Sequence, residues 1–307
     1  MGGGPVIRAR GLEKSYGSLR AVRGIDLEVG EGEIFAFLGP NGAGKTTTVE
    51  ILEGYRHRSG GEVEVLGVDP GRATTEWRAR IGVVLQSGQL EPLLTVRESL
   101  ELYAGYYPSP RPVDETLEVV GLTPQRDQRA GKLSGGQQRR LDVALALIGN
   151  PELLFLDEPT TGFDPAARRG AWGMIANLRQ LGKTVLLTTH YMEEAQILAD
   201  RVAIIKGGEI VALGKPSELG GAAAGRTSIR FRLPAGTATD ELPSAIAAKA
   251  QEADGRLQLA TETPVDDLAL LCGWALEQAV DLGDLEVSRP TLEDVYLELT
   301  GGEAGLT

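Results

Sequence analysis

Residues 39–46 read GPNGAGKT, and their types and spacing are those of a loop that binds phosphate. They fit the pattern GxxxxGK[ST], with an apolar run over 33–38 before the loop and a helix predicted over Lys45–Leu52 after it, as the pattern requires. Glycines let the backbone wrap closely, so that successive N–H groups point at a phosphate, and the helix N-terminus adds partial positive charge. A Gly-rich turn with a chance Lys-Thr pair is the alternative, but it would not require this strand and this helix. The loop therefore predicts a nucleotide site.

Two side chains of this loop have separate predicted tasks. Lys45 is placed to reach the β- and γ-phosphates, which makes it a candidate catalytic residue, and the Thr46 hydroxyl can ligate Mg²⁺. The residues predicted to contact the nucleotide here are Gly39, Pro40, Asn41, Gly42, Ala43, Gly44, Lys45, Thr46 and Thr47.

Two carboxylates follow the apolar run LLFL that begins at Leu153. This run predicts a buried strand, which would deliver Asp157 and Glu158 at its carboxyl end, where ligands bind in open α/β sheets. We expect Asp157 to hold Mg²⁺ through its water shell and Glu158 to orient the attacking water or accept its proton. A positioned base contributes about 10²–10⁴ in rate. The alternative is a strand end with two solvated acids, which the phosphate loop earlier in the chain makes the weaker interpretation.

Ser134, Gly135, Gly136 and Gln137 stand directly before the amphipathic segment 138–148, which predicts a core-facing helix. A serine and two glycines there present a hydroxyl and bare N–H groups at a positive helix end, which would form a second anion-binding surface. An ordinary Ser/Gly helix cap has the same composition, and for these residues in isolation it is the better interpretation.

The motifs GPNGAGKT, LSGGQ and LLFLDE, followed by His190, resemble in their order those of the ATP-binding-cassette (ABC) ATPases, over about residues 5–220. This resemblance implies an α/β fold of the P-loop NTPase class, with a parallel sheet core, an antiparallel β subdomain and a helical subdomain. It implies ATP and Mg²⁺ as cofactors. It also implies that Ser134, Gly135 and Gly136 contact the γ-phosphate of ATP held by a second subunit.

The resemblance implies roles for four further residues, each with a structural alternative. Tyr16 would stack on adenine, or be a surface aromatic. Gln86 would ligate Mg²⁺ and sense a transmembrane partner, or cap a loop. Asp164 would lie in a loop that crosses between subunits, although Asp164-Pro165 is also a good helix start. His190 would contact the γ-phosphate and position Glu158, or be a plain strand-end residue.

The sequence departs from the family at Phe163, where Leu is usual. Because Phe is also apolar, this puts only the fine geometry of the crossing loop in doubt.

The elements that must position these residues alternate between short apolar runs and helical segments, which predicts a parallel sheet covered on both faces. The first thirty residues differ, because Val6–Leu12 and Ile25–Val29 look like antiparallel strands around the turn Gly17-Ser18. The other predicted elements are strands at 33–38, Leu153–Asp157 and Thr184–Thr189 and helices at Pro165–Leu181 and Tyr191–Leu198.

Composition excludes several classes of protein. The net charge of −12 over 307 residues argues against a nucleic-acid partner, because phosphate binding needs a surplus of Lys and Arg. The apolar runs of the sequence are far shorter than the about 20 residues that a membrane-spanning helix needs. Cys272 is the single cysteine, which excludes an intrachain disulfide and fits a reducing cytosol.

Charge also marks a domain boundary. Residues 221–307 carry −9 of the net −12, and this shift coincides with the Gly/Ala-rich stretch 220–225. We predict an ATP-binding domain over 1–220 and a small α+β accessory or regulatory domain over 221–307. In the latter we expect a strand around Ile229–Leu233, a helix over Leu242–Gln251, a strand over Arg256–Thr261 and a helix over Val265–Val280. A short strand at 285–287 and a helix over Thr291–Thr300 would follow.

The ending SRPTLEDVYLELTG, from Ser288 to Gly301, resembles that of ATPase subunits of drug- and polysaccharide-export systems, the daunorubicin-resistance type above all. The resemblances together imply a subunit that binds and hydrolyses MgATP between two copies of itself and drives a separate membrane permease. The cargo would be a drug, an antibiotic or a lipid-like molecule. The chain would be cytoplasmic and peripheral on the inner face of the cell membrane, with coupling near Gln86 and 90–100.

Three alternatives stay open. An importer ATPase with a regulatory tail is the first, although the helical tail and the LEDVYLELTG ending favour export. A soluble ABC protein acting on ribosomes or DNA is the second, which the single cassette and the acidic tail disfavour. A non-catalytic binding subunit is the third, and it would require the loss of Glu158 or His190, both of which are present.

Overall fold

The computed structural model describes residues 4–85, 90–219, 227–234, 237–253 and 255–288, together with Leu292 and Tyr296. The chain divides into two units between Pro216 and Ser217. The predicted boundary at residues 220 and 221 lies outside the described residues.

Nine strands and seven helices of the first unit are described. The strands are β1 (Ile7–Tyr16), β2 (Leu19–Val29), β3 (Ile34–Leu38), β4 (Gly60–Val65), β5 (Ile81–Val84), β6 (Leu153–Asp157), β7 (Thr184–Thr189), β8 (Arg201–Lys206) and β9 (Glu209–Gly214). The helices are α1 (Lys45–Leu52), α2 (Thr75–Arg78), α3 (Val96–Ala104), α4 (Val113–Val120), α5 (Gly135–Leu147), α6 (Pro165–Gln180) and α7 (Met192–Leu198). After the first hairpin, strands and helices alternate as predicted, except where α3, α4 and α5 follow one another and where β9 follows β8.

The main sheet has the strand order β5-β6-β7-β3-β8-β9, with parallel pairing from β5 to β8 and an antiparallel edge strand β9. Strands β3 and β7 are buried along their whole length, and β6 is buried up to Asp157. Continuous burial is the property of a parallel sheet covered on both faces, so the predicted architecture is confirmed. The carboxyl ends of β3, β6 and β7 therefore meet at one edge of the sheet.

The first thirty residues form a separate antiparallel layer, as predicted. Strands β1 and β2 pair around the turn Gly17-Ser18, and β4, which the sequence did not predict, pairs with the other side of β1. The apolar side chains of this layer, such as Leu12 and Ile25, pack into one core with Phe35 and Phe37 of β3.

Helices α3, α4 and α5 pack against one another and form the predicted helical subdomain. Helix α3 begins with a capping box in which Thr95 and Glu98 satisfy each other's backbone N–H groups. Helix α5 has the same kind of cap, at Ser134, and its first residue, Gly135, stands three positions before the predicted segment 138–148.

The second unit is a small α+β module, as predicted. Its described elements are β10 (Thr227–Arg232), α8 (Ser244–Ala247), β11 (Gln251–Ala253), β12 (Arg256–Thr261), α9 (Pro264–Glu277) and β13 (Gly283–Ser288). The four strands form an antiparallel sheet in the order β11-β12-β10-β13. Ile229 and Phe231 of β10 lie in its core with Leu271 of α9.

Two predictions for this module need comment. The helix predicted over Leu242–Gln251 is wrong, because only Ser244–Ala247 is helical and Gln251 pairs with Gln258 of β12 as a strand residue. Most of the helix predicted over Thr291–Thr300 lies outside the described residues; Leu292 and Tyr296 are helical and buried. Throughout the described ranges, every helix is too short or too polar to cross a bilayer.

Candidate functional site

The phosphate-binding loop lies between the end of β3 and the start of α1, as predicted. Two of its glycines are sterically required. A Cβ atom on Gly39 would lie 2.3 Å from the carbonyl oxygen of Ile205, and one on Gly44 would lie 2.6 Å from that of Ala21. Gly44 also has φ of 105°, a conformation that side chains disfavour. The loop is therefore fixed by the strands on either side, and its amides lead directly into the N-terminus of α1.

Lys45 is buried at the first position of α1, with 6% of its surface exposed. Its ammonium donates hydrogen bonds to the carbonyl oxygens of Gly39, at 2.6 Å, and Pro40, at 3.1 Å. Burial lowers the pKa of Lys45, and the nearby charges of Glu158 and Asp157 oppose that shift. The structure thus brings Lys45 and the two carboxylates after β6 into electrostatic contact.

Thr188 on the neighbouring strand β7 contacts both acidic residues at the end of β6, the side chain of Asp157 and the backbone of Glu158. The Thr188 hydroxyl donates a short hydrogen bond to Oδ1 of Asp157. The backbone N–H of Glu158 donates to the hydroxyl and carbonyl oxygens of Thr188, at 3.0 and 3.2 Å. Oε2 of Glu158 accepts a hydrogen bond from the Thr161 hydroxyl at 3.0 Å. Both carboxylates are therefore oriented by groups outside their own strand.

The backbone of Glu158 has φ of +45°, in the left-handed region that favours glycine. A non-glycine residue there costs about 1–3 kcal/mol and persists where surrounding contacts over-determine it. Such residues cluster at functional sites, which agrees with the role predicted for Glu158.

His190 follows β7 and reaches the same edge of the sheet. Its Nδ1 atom is buried and lies 3.4 Å from Oε1 of Glu158. Its ring packs against that of Tyr191, with centroids 4.1 Å apart, and the guanidinium of Arg168 lies 4.0 Å from the Tyr191 centroid. Lys45, Asp157, Glu158 and His190, predicted from three separate motifs, thus converge on one place.

Ser134 and Gln137 form a reciprocal cap at the start of α5. The Ser134 hydroxyl accepts from the N–H of Gln137 at 3.3 Å, and the Gln137 side chain accepts from the N–H of Ser134 at 2.9 Å. The helix-cap interpretation is therefore correct for these two residues. Ser134 and Gly135 are nevertheless exposed, and no atom lies within 4 Å of the position that a Cβ would take on Gly135. The helix end is thus open to an approaching anion.

Asp164 also caps a helix, because its Oδ1 accepts hydrogen bonds from the N–H groups of Ala166 and Ala167 at the start of α6, both at 2.9 Å. It remains exposed, so a second role at a subunit interface is compatible with this geometry. Gln86 lies outside the described residues. Thr46 is exposed in the first turn of α1, and Thr47 is half-buried.

Tyr16 is 39% exposed at the end of β1 and stands between two cations. The ammonium of Lys14 lies 5.0 Å from its ring centroid and the guanidinium carbon of Arg56 lies 5.4 Å from it. Arg56 also binds Glu50 of α1 at 2.5 Å, so Tyr16 is connected to the helix that follows the phosphate loop.

Three polar residues near the site escaped prediction; two of them are buried and the third, Glu53, is half-buried. Arg139 of α5 donates to backbone carbonyls at the ends of β5 and β6. Glu194 of α7 accepts hydrogen bonds from Thr160 and Trp172, and burial raises its pKa. Glu53, after α1, has its pKa raised to about 8 by burial and then by the charges of Asp157 and Glu50. Sequence gives a signal only for Arg139, a charge on the buried stripe of an amphipathic helix.

The donor atoms at this edge fit Mg²⁺. Asp157 contributes a carboxylate and Thr46 a hydroxyl, and oxygen donors of this kind are the ligands that Mg²⁺ takes in nucleotide sites.

Comparison with known proteins agrees with this geometry. Residues 22–161 match the family model described as ABC transporter, and residues 227–291 match that of the C-terminal domain of ABC transporter domain-containing proteins. The chain is 40% identical to daunorubicin resistance ATP-binding protein DrrA2 of Streptomyces coeruleorubidus, over 97% of this chain and 96% of the relative. It is 38% identical to Nod factor export ATP-binding protein I of Burkholderia orbicola, over 96% of each.

A third relative is linearmycin resistance ATP-binding protein LnrL of Bacillus subtilis, 33% identical over 96% of this chain and 98% of the relative. Solved structures of ATP-binding cassettes share the fold. CbiO1 from Clostridium perfringens, part of an ABC transporter complex, superposes with a TM-score of 0.65 at 27% identity, over 70% of this chain and 90% of that one. A dimeric cassette bound to ADP and phosphate has a TM-score of 0.61 at 28% identity, over 68% of this chain and 98% of that one.

Proposed function

The chain belongs to the family of ABC transporter ATP-binding proteins, and on that premise we propose that it is the ATP-hydrolysing subunit of an ABC export system. The observation that carries the proposal is the convergence of Lys45, Asp157, Glu158 and His190 at one edge of the main sheet. A cation beside an amide-lined loop binds a triphosphate, and a carboxylate and an imidazole next to it supply the groups that hydrolysis needs.

The side chains at this edge have distinct tasks in the proposed reaction. Lys45 neutralises phosphate oxygens, and because it is buried, its attraction to a phosphate is screened less by water than at an exposed site. Glu158 orients a water molecule for attack on the γ-phosphorus and accepts its proton, while the bond to the β–γ bridging oxygen breaks and ADP leaves. His190, 3.4 Å from Glu158, holds that carboxylate in place and contacts the γ-phosphate. Tyr16 stacks on the adenine ring.

Thr46 and Asp157 would hold the Mg²⁺ ion, together with Gln86. When bound, the ion supplies neutralisation of the charge on the phosphate oxygens. The hydrogen bond from Thr188 fixes the Asp157 carboxylate in advance, so its orientation does not depend on the ion.

We further propose that two copies share each ATP, which lies between Lys45 of one copy and Ser134 of the other. The support is the open, capped N-terminus of α5, where Gly135 leaves room for close approach. A triphosphate between two positive helix ends screens their mutual repulsion, so ATP joins the copies and hydrolysis releases them. Asp164, exposed at the start of α6, would lie at this interface.

The proposed membrane partner is a separate permease, which would hold the chain at the inner face of the cell membrane. The relatives are named for daunorubicin resistance, Nod factor export and linearmycin resistance, which favours export over import and a drug-like or lipid-like cargo. We propose residues 1–220 as the ATPase domain and 221–307 as an accessory domain that regulates it or stabilises the dimer.

The test compares ATP hydrolysis and self-association in the wild-type chain and in Glu158→Gln. We expect Glu158→Gln to bind MgATP, to form dimers that light scattering detects, and to hydrolyse at least about 10²-fold more slowly. The matched control is Glu193→Gln, because Glu193 is exposed on α7 close to His190 in the sequence but has no proposed role.

Full turnover by Glu158→Gln would exclude Glu158 as the base. A strictly monomeric Glu158→Gln at saturating MgATP would exclude the shared nucleotide site.

A further inference from the structure

A buried guanidinium contacts the main chain around the proposed catalytic residue Glu158. Arg139 of α5 is 8% exposed and donates hydrogen bonds to main-chain oxygens at the ends of two adjacent strands. After β6 it reaches the carbonyls of Asp157 at 2.6 Å, Glu158 at 3.3 Å and Pro159 at 3.3 Å. It also makes a short hydrogen bond to the carbonyl of Leu85, just after β5. One side chain therefore holds three consecutive peptide groups around Glu158.

Burying this charge is costly, which indicates a purpose beyond packing. The carboxylate of Asp142 is 3.8 Å away and compensates the charge only in part, so carbonyl oxygens supply most of the solvation. The planar, five-donor guanidinium suits this task, because its donors diverge in one plane toward several acceptors.

Among the residues whose carbonyl groups Arg139 holds is Glu158, whose backbone is strained. Glu158 has φ of +45°, and such a backbone persists only when its surroundings fix it. Thr188 fixes the N–H side of Glu158, and Arg139 fixes its carbonyl side. Together they set the direction in which the Glu158 side chain leaves the backbone.

Arg139 also belongs to the helix that begins at Ser134. The two residues are five positions apart, which corresponds to about 7.5 Å along a helix axis. A helix is stiff over that distance, so a displacement of the α5 N-terminus moves the guanidinium and the carbonyls that it holds. Arg139 thus connects two parts of its own chain. One is the N-terminus of α5, which is proposed to touch the nucleotide of a second copy, and the other is the catalytic carboxylate of Glu158.

We propose that Arg139 is a positioning residue that holds Glu158 in its hydrolysis-competent orientation and couples it to the position of the α5 N-terminus. The proposal rests on the function proposed above. It assigns Arg139 no contact with ATP, so nucleotide affinity is expected to be independent of it.

The test substitutes Arg139 by Lys, which keeps the charge but loses the planar fork, and by Gln, which keeps an amide donor and removes the charge. Circular dichroism and urea unfolding of both variants establish that each is folded before its kinetics are compared. For each we expect kcat for ATP to fall about 10- to 100-fold, the scale of a misplaced catalytic group, with ATP affinity within about twofold of wild type. Lys should retain more activity than Gln. Arg140→Lys is the matched control, because the neighbouring Arg140 bonds instead to the carbonyl of Val120.

The decisive measurement repeats Arg139→Gln in a chain that already carries Glu158→Gln. If Arg139 acts through Glu158, the second substitution lowers the residual rate no further. The positioning role would be overturned if Arg139→Gln lowered kcat by the same factor in the wild-type chain and in the Glu158→Gln chain. It would also be overturned if both Arg139 variants kept wild-type kcat while Glu158→Gln was inactive. Either result would leave the proposed function intact. Full activity of Glu158→Gln alone would instead overturn the proposed function.

Discussion

The Nδ1 atom of His190 lies 3.4 Å from Oε1 of Glu158, although 32 positions separate the two residues and they follow different strands. Strands β6 and β7 are adjacent and parallel, with Asp157 opposite Thr188, so their carboxyl ends deliver both residues to one point. The imidazole ring of His190 packs against the ring of Tyr191, and the guanidinium of Arg168 on α6 lies over that tyrosine ring. The pair formed by His190 and Glu158 is therefore positioned both by strands β6 and β7 and by contacts that lead to α6.

The first prediction concerns this dyad. We expect His190→Ala to lower kcat for ATP by about 10²-fold or more, because Glu158 loses the neighbour that orients it. His190→Gln should recover part of the rate, since its amide can still meet Oε1 of Glu158. Steady-state kinetics on both variants, with nucleotide binding measured separately, test this. The control is His57→Ala, because the hydrogen bond described for His57 is accepted by its backbone carbonyl, which alanine keeps, and its imidazole has no proposed role. Equal rates for His190→Ala and wild type would remove His190 from the reaction.

The second prediction separates charge from burial in Lys45. Lys45→Met retains the apolar stem but loses the ammonium, so we expect MgATP affinity to fall at least tenfold, or about 1.4 kcal/mol. Lys183→Met is the matched control, because Lys183 is also buried, has a pKa lowered by burial, and instead bonds to Asn150. Equilibrium binding of a fluorescent ATP analogue gives both affinities. Equal losses in the two variants would point to general destabilisation rather than phosphate binding.

Local patterns were sufficient to predict the elements that carry the motifs. The sequence predicts α1, β6 and β7 with the bounds seen in the structure, because each is a continuous apolar run or a helix start next to a glycine or a carboxylate. It also predicts the convergence of Lys45, Asp157 and Glu158, since the carboxyl ends of parallel strands share an edge.

What the sequence did not predict depends on distant partners. Strand β4 exists because it pairs with β1, and the three residues of β11 exist because they pair with β12. The helix predicted over Leu242–Gln251 was wrong at its last residue for that reason, because Gln251 pairs with Gln258 of β12. The acceptors of Arg139 lie 18 to 54 positions away, and no local spacing reports such contacts.

The third prediction distinguishes a helix cap from a nucleotide contact at the start of α5. No atom lies within 4 Å of a Cβ built on Gly135 or on Gly173, which is in the middle of α6. Alanine should therefore fit at both sites, and Gly173→Ala should raise stability by up to about 1 kcal/mol with unchanged activity. We expect Gly135→Ala to fold as well as wild type but to lose at least about tenfold in ATP-dependent dimerisation and turnover, because the Cβ blocks close approach of phosphate. Wild-type turnover by Gly135→Ala would mean that residues 134–137 act only as a helix cap and do not contact the nucleotide.

The last prediction concerns the pH dependence of stability and arises from Glu53, whose pKa is raised to about 8 by burial and by the charges of Asp157 and Glu50. Because the folded state holds this proton more tightly than the unfolded chain, the stabilisation is complete below about pH 4.5 and is lost as the pH rises toward 8. Glu53→Gln mimics the protonated acid, so it should match wild type at pH 5 and be more stable by about 1–3 kcal/mol at pH 8. Urea unfolding of both proteins at the two pH values measures this, and Glu193→Gln, at an exposed site, should show no such pH-dependent gain. A Glu53→Gln variant that is destabilised at pH 8 would mean that the carboxylate is charged and favourably placed in the folded protein.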